Sequence, residues 1–199
     1  MTMLKKNTVL AALLILPTLA GSALAAGPDE LRYDYIDLGL TFGSVDTAGD
    51  DPDFTSFDVG GSWGVHQNFA LFAGLSVGEI DTTFGNIDTT ALSLGINPHF
   101  ALSDRIDLVI PVAIEFADID AGIASDDDTG YSIGIGIRAL LSPSWELGVG
   151  VQHVDIFDGD DQSIAGSVRW HLSSLFSLSL GATASDDASA LVLNGRFSF

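Results

Sequence analysis

From Arg32 to Phe199 the chain alternates apolar and polar residues with period two, and nowhere does it hold the roughly 20 consecutive apolar residues that a membrane-crossing helix requires. Period two is the signature of a β-strand, whose successive side chains point to opposite faces. Hydrophobic residues make up 47% of the chain and charged residues only 17%. So much apolar content without an apolar run means that the hydrophobic residues are dispersed by alternation, as in a transmembrane β-barrel.

Ten segments carry the pattern. Their apolar rows are Ile36-Leu38-Leu40-Phe42, Phe57-Val59-Trp63, Phe69-Leu71-Leu75-Val77, Leu92-Leu94-Ile96 and Leu108-Ile110-Val112-Ile114-Phe116. The second half adds Tyr131-Ile133-Ile135-Ile137, Trp145-Leu147-Val149-Val151, Ile164-Val168-Trp170-Leu172, Phe176-Leu178-Leu180 and Leu191-Leu193-Phe197-Phe199. Gly, Ser and Asp dominate the opposite rows. Ten is an even number and suits an antiparallel up-and-down barrel, with eight strands as the alternative. Pro111 cannot donate to a strand ladder, so a bulge or break is expected there. Short connections around Gln67, Ser103-Asp104, Ser142-Pro143-Ser144 and Ser173-Ser174 alternate with polar ones over 44–56, 79–89, 118–129, 155–162 and 185–189. Short inner turns, longer outer loops and both termini on the inner side are the asymmetry expected of such a barrel.

The first 25 residues read as an export signal: Lys5 and Lys6, an apolar core from Val9 to Leu16, then the small-residue cleavage site Ala23-Leu24-Ala25. The barrel domain is then residues 26–199. Beyond that cut the chain keeps five basic residues, Arg32, Arg105, Arg138, Arg169 and Arg196, against 27 acidic ones, a formal charge of −22. Such a charge excludes nucleic acid as a partner. There is no cysteine, hence no disulfide framework.

Period two does not say which face is inward. The aromatic residues do. Trp63, Phe69, Phe100, Trp145, Trp170 and Phe176 cluster where the apolar rows meet the short turns, and Phe42, Phe57, Phe116 and Tyr131 form a second set near the long connections. Two aromatic levels on an apolar face are the girdles of a barrel in lipid, with the polar face turned inward.

The export segment, the alternating strands and the final Leu191-Val192-Leu193-Asn194-Gly195-Arg196-Phe197-Ser198-Phe199 resemble the small outer-membrane β-barrel proteins of proteobacteria, the OmpA-like and porin-like superfamily. The resemblance implies the outer membrane of a Gram-negative envelope, with its lipid and lipopolysaccharide as surroundings. It also implies assembly by the barrel-assembly machinery with periplasmic chaperones, the terminal Leu191, Leu193, Phe197 and Phe199 serving as assembly signal. No OmpA-type periplasmic domain is expected.

Asp37, Asp107, Arg138, Glu146, Arg169 and Arg196 fall on the inward face near the inner end. Barrel closure sets Asp37 beside Arg196, and the sixth and seventh strands set Arg138 near Glu146. Buried charges need partners, so a salt-bridged plug is expected; a charge ring tuning a pore is the other reading. The long connections hold 18 of the 27 acidic residues. They read as a solvated rim, or as weak Ca²⁺ or Mg²⁺ ligands at Asp126, Asp127, Asp128, Asp158, Asp160 and Asp161. His66, His99 and His171 are expected in the lumen. His153, with Asp155 and Ser163 nearby, would be the centre of a lipid A-modifying enzyme. Gly134-Ile135-Gly136 is strand interior, and no cofactor motif is present. The leading expectation is a non-enzymatic surface protein with a structural or surface-interaction role. A narrow pore comes second and a lipid-modifying enzyme third.

Overall fold

The computed structural model describes residues 31, 33–46, 51–83, 85–122, 124–157 and 159–199. The export segment therefore lies outside the described residues, as do Arg32 and Asp158. Eleven strands follow one another: β1 (Tyr35–Val45), β2 (Asp53–His66), β3 (Phe69–Thr82), β4 (Gly85–Ser103), β5 (Ile106–Val109), β6 (Val112–Asp120), β7 (Ser125–Ser142), β8 (Trp145–Ile156), β9 (Gly159–His171), β10 (Phe176–Ser185) and β11 (Ala188–Ser198). All pairings are antiparallel; apart from β4–β6 and β5–β7 they join sequence neighbours, and β1 pairs with β11 from Tyr35↔Ser198 to Val45↔Ala188, which closes the barrel.

β5 and β6 are one passage broken at Ile110-Pro111, since both lie between β4 and β7. The break is the one expected of a proline in the ladder. Backbone bonds from Ile110 N to Pro98 O at 2.9 Å and from Gly134 N to Pro111 O at 2.8 Å carry the pairing across it. The wall thus makes ten passages.

The apolar rows face outward on every passage, from Ile36, Leu38 and Leu40 on β1 to Leu191, Leu193 and Phe197 on β11. Trp63, Phe100, Trp145, Trp170 and Phe176 are exposed at the short-turn end, with Trp145 stacked on Trp170 at 6.0 Å. Phe69 is only half-exposed. Phe42, Phe57, Phe116 and Tyr131 are exposed at the other level.

The long connections expected from the sequence are mostly strand. β4 runs 19 residues and β7 runs 18, whereas a tilted strand crosses a bilayer in about 9–11. The excess projects as hairpins beyond the apolar band. There the phase of the alternation is kept but its polarity reverses. On β3 the outward row passes from Leu75 and Val77 to Glu79 and Asp81, while the inward row ends in the buried Ile80. On β8 the outward Val149 and Val151 give way to Asp155, and Val154 and Ile156 turn inward. Above the membrane the solvent is water, so the wall reverts to polar outside and apolar inside.

The inward apolar residues meet as a core of Val45, Phe54, Ile80, Ala91, Ala117, Val154, Ile156, Phe157, Ala188 and Ala190, with Ile87 and Ile119 packed against it. Gly43 makes room for it: a Cβ there would lie 2.5 Å from the Phe54 ring. Phe157, at φ +55°, holds a backbone conformation uncommon for a bulky residue. Its buried ring and a 2.5 Å bond from its N–H to Asp128 Oδ2 fix it there.

Candidate functional site

The interior of the barrel is the candidate site, because it gathers nearly every buried charge. At the short-turn end Arg196, fully buried, donates from Nε to Asp37 Oδ1 at 2.6 Å and from Nη2 to Asp37 Oδ2 at 2.5 Å. Their positions are opposed in the β1–β11 closure register. The bond pattern is the bidentate fork that makes Arg–carboxylate pairs strong. The Arg196 guanidinium also lies 3.5 Å from the Tyr35 ring centroid.

Arg138 on β7 donates to Glu146 Oε1 on β8 from Nε at 3.0 Å and from Nη2 at 2.6 Å. His171 Nε2 approaches the other Glu146 oxygen at 3.3 Å. Arg169 donates to Ser177 Oγ at 3.1 Å and to Asn194 Oδ1 at 3.2 Å. Asp107 accepts the Tyr33 hydroxyl at 2.6 Å, and the Tyr33 ring stacks on His99 at 3.5 Å while the Arg138 guanidinium lies 5.3 Å from its centroid. Asp37, Asp107, Arg138, Glu146, Arg169 and Arg196 are thus all buried and hydrogen-bonded at this end of the lumen.

Sequence reasoning missed Tyr33, Tyr35 and Asn194 as members. The signal was present, since Tyr33 and Tyr35 share the phase of Asp37, but the first strand was read from Ile36. It also placed three histidines in the lumen, and only His99 and His171 are there. His66 is exposed in the β2–β3 turn, where its Nδ1 accepts from Asn68 N at 3.4 Å.

Higher in the lumen two buried carboxylates have, among the described residues, only hydroxyl partners. Asp58 accepts from Thr41 at 2.7 Å, Ser76 at 2.7 Å and Ser56 at 3.2 Å. Glu115 accepts from Ser132 at 2.6 Å and from Ser93. Above them the apolar core fills the barrel.

The acidic groups at the outer end do not converge. Asp126, Asp127 and Asp128 are consecutive on β7, so their side chains alternate across the wall. Asp160 faces out and Asp161 faces in. Among the described residues no group of three or more His, Asp or Glu could hold a metal ion, which leaves the expected Ca²⁺ or Mg²⁺ sites without a ligand shell there. Instead Glu79 faces Asp88, Asp118 faces Asp127 and Asp155 faces Asp160 across their hairpins. Like charges directly opposed are unfavourable, and these stand in water on the outer wall. Nor is there a catalytic arrangement at His153. It lies on the outward row with Asp155, 6.2 Å from the Tyr131 ring, whereas Ser163 is on the inward row. Gly134 and Gly136 lie inside β7.

The architecture has known counterparts. The chain is similar to the β domain of the Bordetella autotransporter BrkA, at 12% identity and a TM-score of 0.53, covering 84% of this chain and 100% of that one. It is also similar to the KdgM porin in complex with disordered oligogalacturonate, at 10% identity and a TM-score of 0.49, covering 83% and 99%. The attachment invasion locus protein Ail of Yersinia pestis matches at 11% identity and a TM-score of 0.43, covering 87% and 99%. At 12% identity the likeness to the BrkA β domain shows the fold alone. No curated protein matches the sequence. The family model of the outer membrane protein beta-barrel domain matches residues 10–189, nearly the whole of the chain, and with a closed ten-passage wall, an outward apolar band and a polar interior the chain belongs to that family of bacterial outer-membrane proteins.

Proposed function

We propose that this protein is a closed barrel that serves the structure and surface of the outer membrane, and that it neither conducts solutes nor catalyses a reaction. The observation that carries this reading is the double filling of its lumen. At one end the buried Arg138–Glu146 and Arg196–Asp37 pairs, each between neighbouring strands, point into the bore with Tyr33 and Tyr35 packed on the guanidiniums. At the other end stands the apolar core around Phe54, Ile80, Ile156 and Phe157. An ion would have to cross both a set of fixed, paired charges and an apolar plug. Wide aqueous channels belong to barrels of many more strands. What the protein offers to its surroundings is an acidic collar standing clear of the membrane, with Glu79, Asp81, Asp118, Asp120 and Asp155 on its exterior. Lipopolysaccharide and the barrel-assembly machinery are the partners we assign to the wall and to the terminal strand.

Planar-bilayer recording on refolded protein tests the reading. A silent bilayer is expected at a protein density that gives steady channel activity with a porin. Regular, ohmic single-channel steps would overturn it in favour of a narrow pore. Lipid A mass spectra that change with expression of the protein would overturn the non-enzymatic part.

A further inference from the structure

The chemistry at which the outer wall passes from lipid to water differs between passages. On β3 and β6 the outward row steps straight from an apolar side chain to a carboxylate, from Val77 to Glu79 and from Phe116 to Asp118. On β8 and β9 a further polar residue stands in between. His153 separates Val151 from Asp155, and Gln162 separates Ile164 from Asp160. The register sets His153 opposite Gln162, with Val151 opposite Ile164 on the lipid side and Asp155 opposite Asp160 on the water side. Tyr131 on β7 is exposed, faces Asp155, and its ring lies 6.2 Å from that of His153.

Beneath this polar pair the outer surface carries a shallow groove lined by Ile133, Ile135, Val151 and Ile164, with His153 and Gln162 at its upper end. The four apolar side chains are exposed. Ala184, which faces Ile164 across the β9–β10 ladder, keeps one flank of the groove low. The groove is continuous with the apolar band that faces lipid, so an acyl chain is the occupant its floor accepts. The upper end selects the headgroup. An imidazole, an amide and two carboxylates offer donors and acceptors suited to hydroxyl groups. The opposed Asp155 and Asp160 repel an anionic headgroup. The exposed Tyr131 ring offers a flat face to a sugar, as aromatic rings at a membrane boundary are placed to do.

We propose that this groove seats one glycolipid of the outer leaflet. Its acyl chain lies along Ile135, Val151 and Ile164, and the hydroxyls of an uncharged sugar are bonded by His153, Gln162 and the carboxylates above them. The inference rests on the assignment of outer-leaflet lipid to the wall and gives that lipid a place and a headgroup. It is independent of whether the lumen conducts.

The test is a methyl NMR titration of the full refolded barrel in dodecylphosphocholine micelles. The probe is n-dodecyl-β-D-maltoside, one acyl-like chain with an uncharged sugar head, and n-dodecyl phosphate is the anionic control. The methyls of Ile133, Val151 and Ile164 are expected to shift saturably with the maltoside. Those of Leu38, Leu40 and Leu193, on outward rows elsewhere on the wall, should change only in proportion to its mole fraction. Dodecyl phosphate should give no saturable shift. His153→Leu/Gln162→Leu keeps the apolar floor and removes two of the headgroup partners, and should weaken the maltoside by about tenfold or more. Gln162→Leu alone carries the same direction of change if the double variant does not refold. Equal, unsaturable shifts at all outward methyls overturn the proposal, because the groove is then ordinary lipid-facing wall. Saturation by dodecyl phosphate overturns the sugar headgroup, and saturation by the maltoside that is unchanged in the variants overturns the roles of His153 and Gln162.

Discussion

Replacing Arg196 by methionine tests the reading of the lumen most directly. The side chain is fully buried and forms two bonds to Asp37, at 2.6 and 2.5 Å, with the Tyr35 ring on its face. Methionine keeps most of the volume and removes the charge. Asp37 is then left buried with its carboxylate uncompensated. Breaking one side of a buried ion pair costs about 3–5 kcal/mol, and the lost guanidinium–ring contact adds up to about 2 kcal/mol. Asp37→Asn removes the opposite charge and leaves Arg196 without its fork. In the double variant neither group is stranded, and an apolar side chain faces a neutral amide. The loss in the double variant is therefore expected to fall short of the sum of the single losses by at least about 2 kcal/mol, within the range seen for residues in one network. Urea unfolding of each variant in lipid vesicles supplies the four free energies. Additivity to within about 0.5 kcal/mol would refute the reasoning, since the two groups would then be stabilised separately by water in an open lumen.

Three further outcomes are expected. Ile80→Ala, which empties a fully buried position of the outer core, should lower stability by about 2–5 kcal/mol and make the projecting hairpins sensitive to protease, with outer-membrane yield unchanged. Deleting Phe199, which is exposed at the end of β11 and donates from its N–H to Asp34 O at 3.2 Å, should sharply lower the outer-membrane yield, whereas Ser198→Ala at equal expression should not. Asp161 lies beyond the apolar band with Asp186 and Asp187 nearby; partial burial, with a smaller contribution from the repulsion of those neighbours, raises its carboxyl above the usual range. Its folded pKa exceeds the unfolded one, so the protonated form contributes stability that is lost as pH rises through the folded value. Asp161→Asn should therefore raise the unfolding midpoint at neutral pH and leave it unchanged below about pH 3.

The wall of the barrel was legible in the sequence because its outward rows are written in one alphabet. Ile, Leu, Val, Phe and Trp recur at every second position, and the closure of β1 on β11 that follows sets Asp37 opposite Arg196. The break at Pro111 was legible for a local reason, a residue that cannot donate. The outer third was not. Asp53, Glu79, Asp118, Asp120 and Asp155 look like loop residues, and they hid the inward row of Phe54, Ile80, Ala117, Ile119 and Ile156 that runs between them. Alternation continues through these stretches, but a search for apolar rows in one phase stops where the polarity reverses. A cavity in the lumen lined by Gly60 and Gly74 was illegible for another reason. It is made by the absence of side chains at Gly60 and Gly74, and two glycines reveal a space only when the register sets them opposite each other.

The reversal of polarity also fixes how far the barrel stands out of the membrane. A side chain cannot choose its solvent independently of its strand, because period two ties every second residue to one face. The level at which the outward row turns from Val77 to Glu79 on β3, from Phe116 to Asp118 on β6 and from Val151 to Asp155 on β8 is therefore the lipid boundary on each passage. Below it the wall has apolar residues outside and must satisfy polar groups within, which favours a lattice of paired charges. Above it water takes the outer face, and burial of the inner face becomes favourable at about 25 cal/mol per Å² of apolar surface. That term is available only to strands long enough to reach water on both sides of a hairpin. β4 and β7, the longest strands, extend into this region, and their inward Ile87, Ala91 and Asp128 contribute to the core or to the turn at Phe157. A barrel built only to conduct would gain nothing from an apolar core across its mouth. One built to hold a rigid acidic surface at a fixed height above the lipid needs that core, because the like charges opposed on its exterior would otherwise spread the hairpins apart.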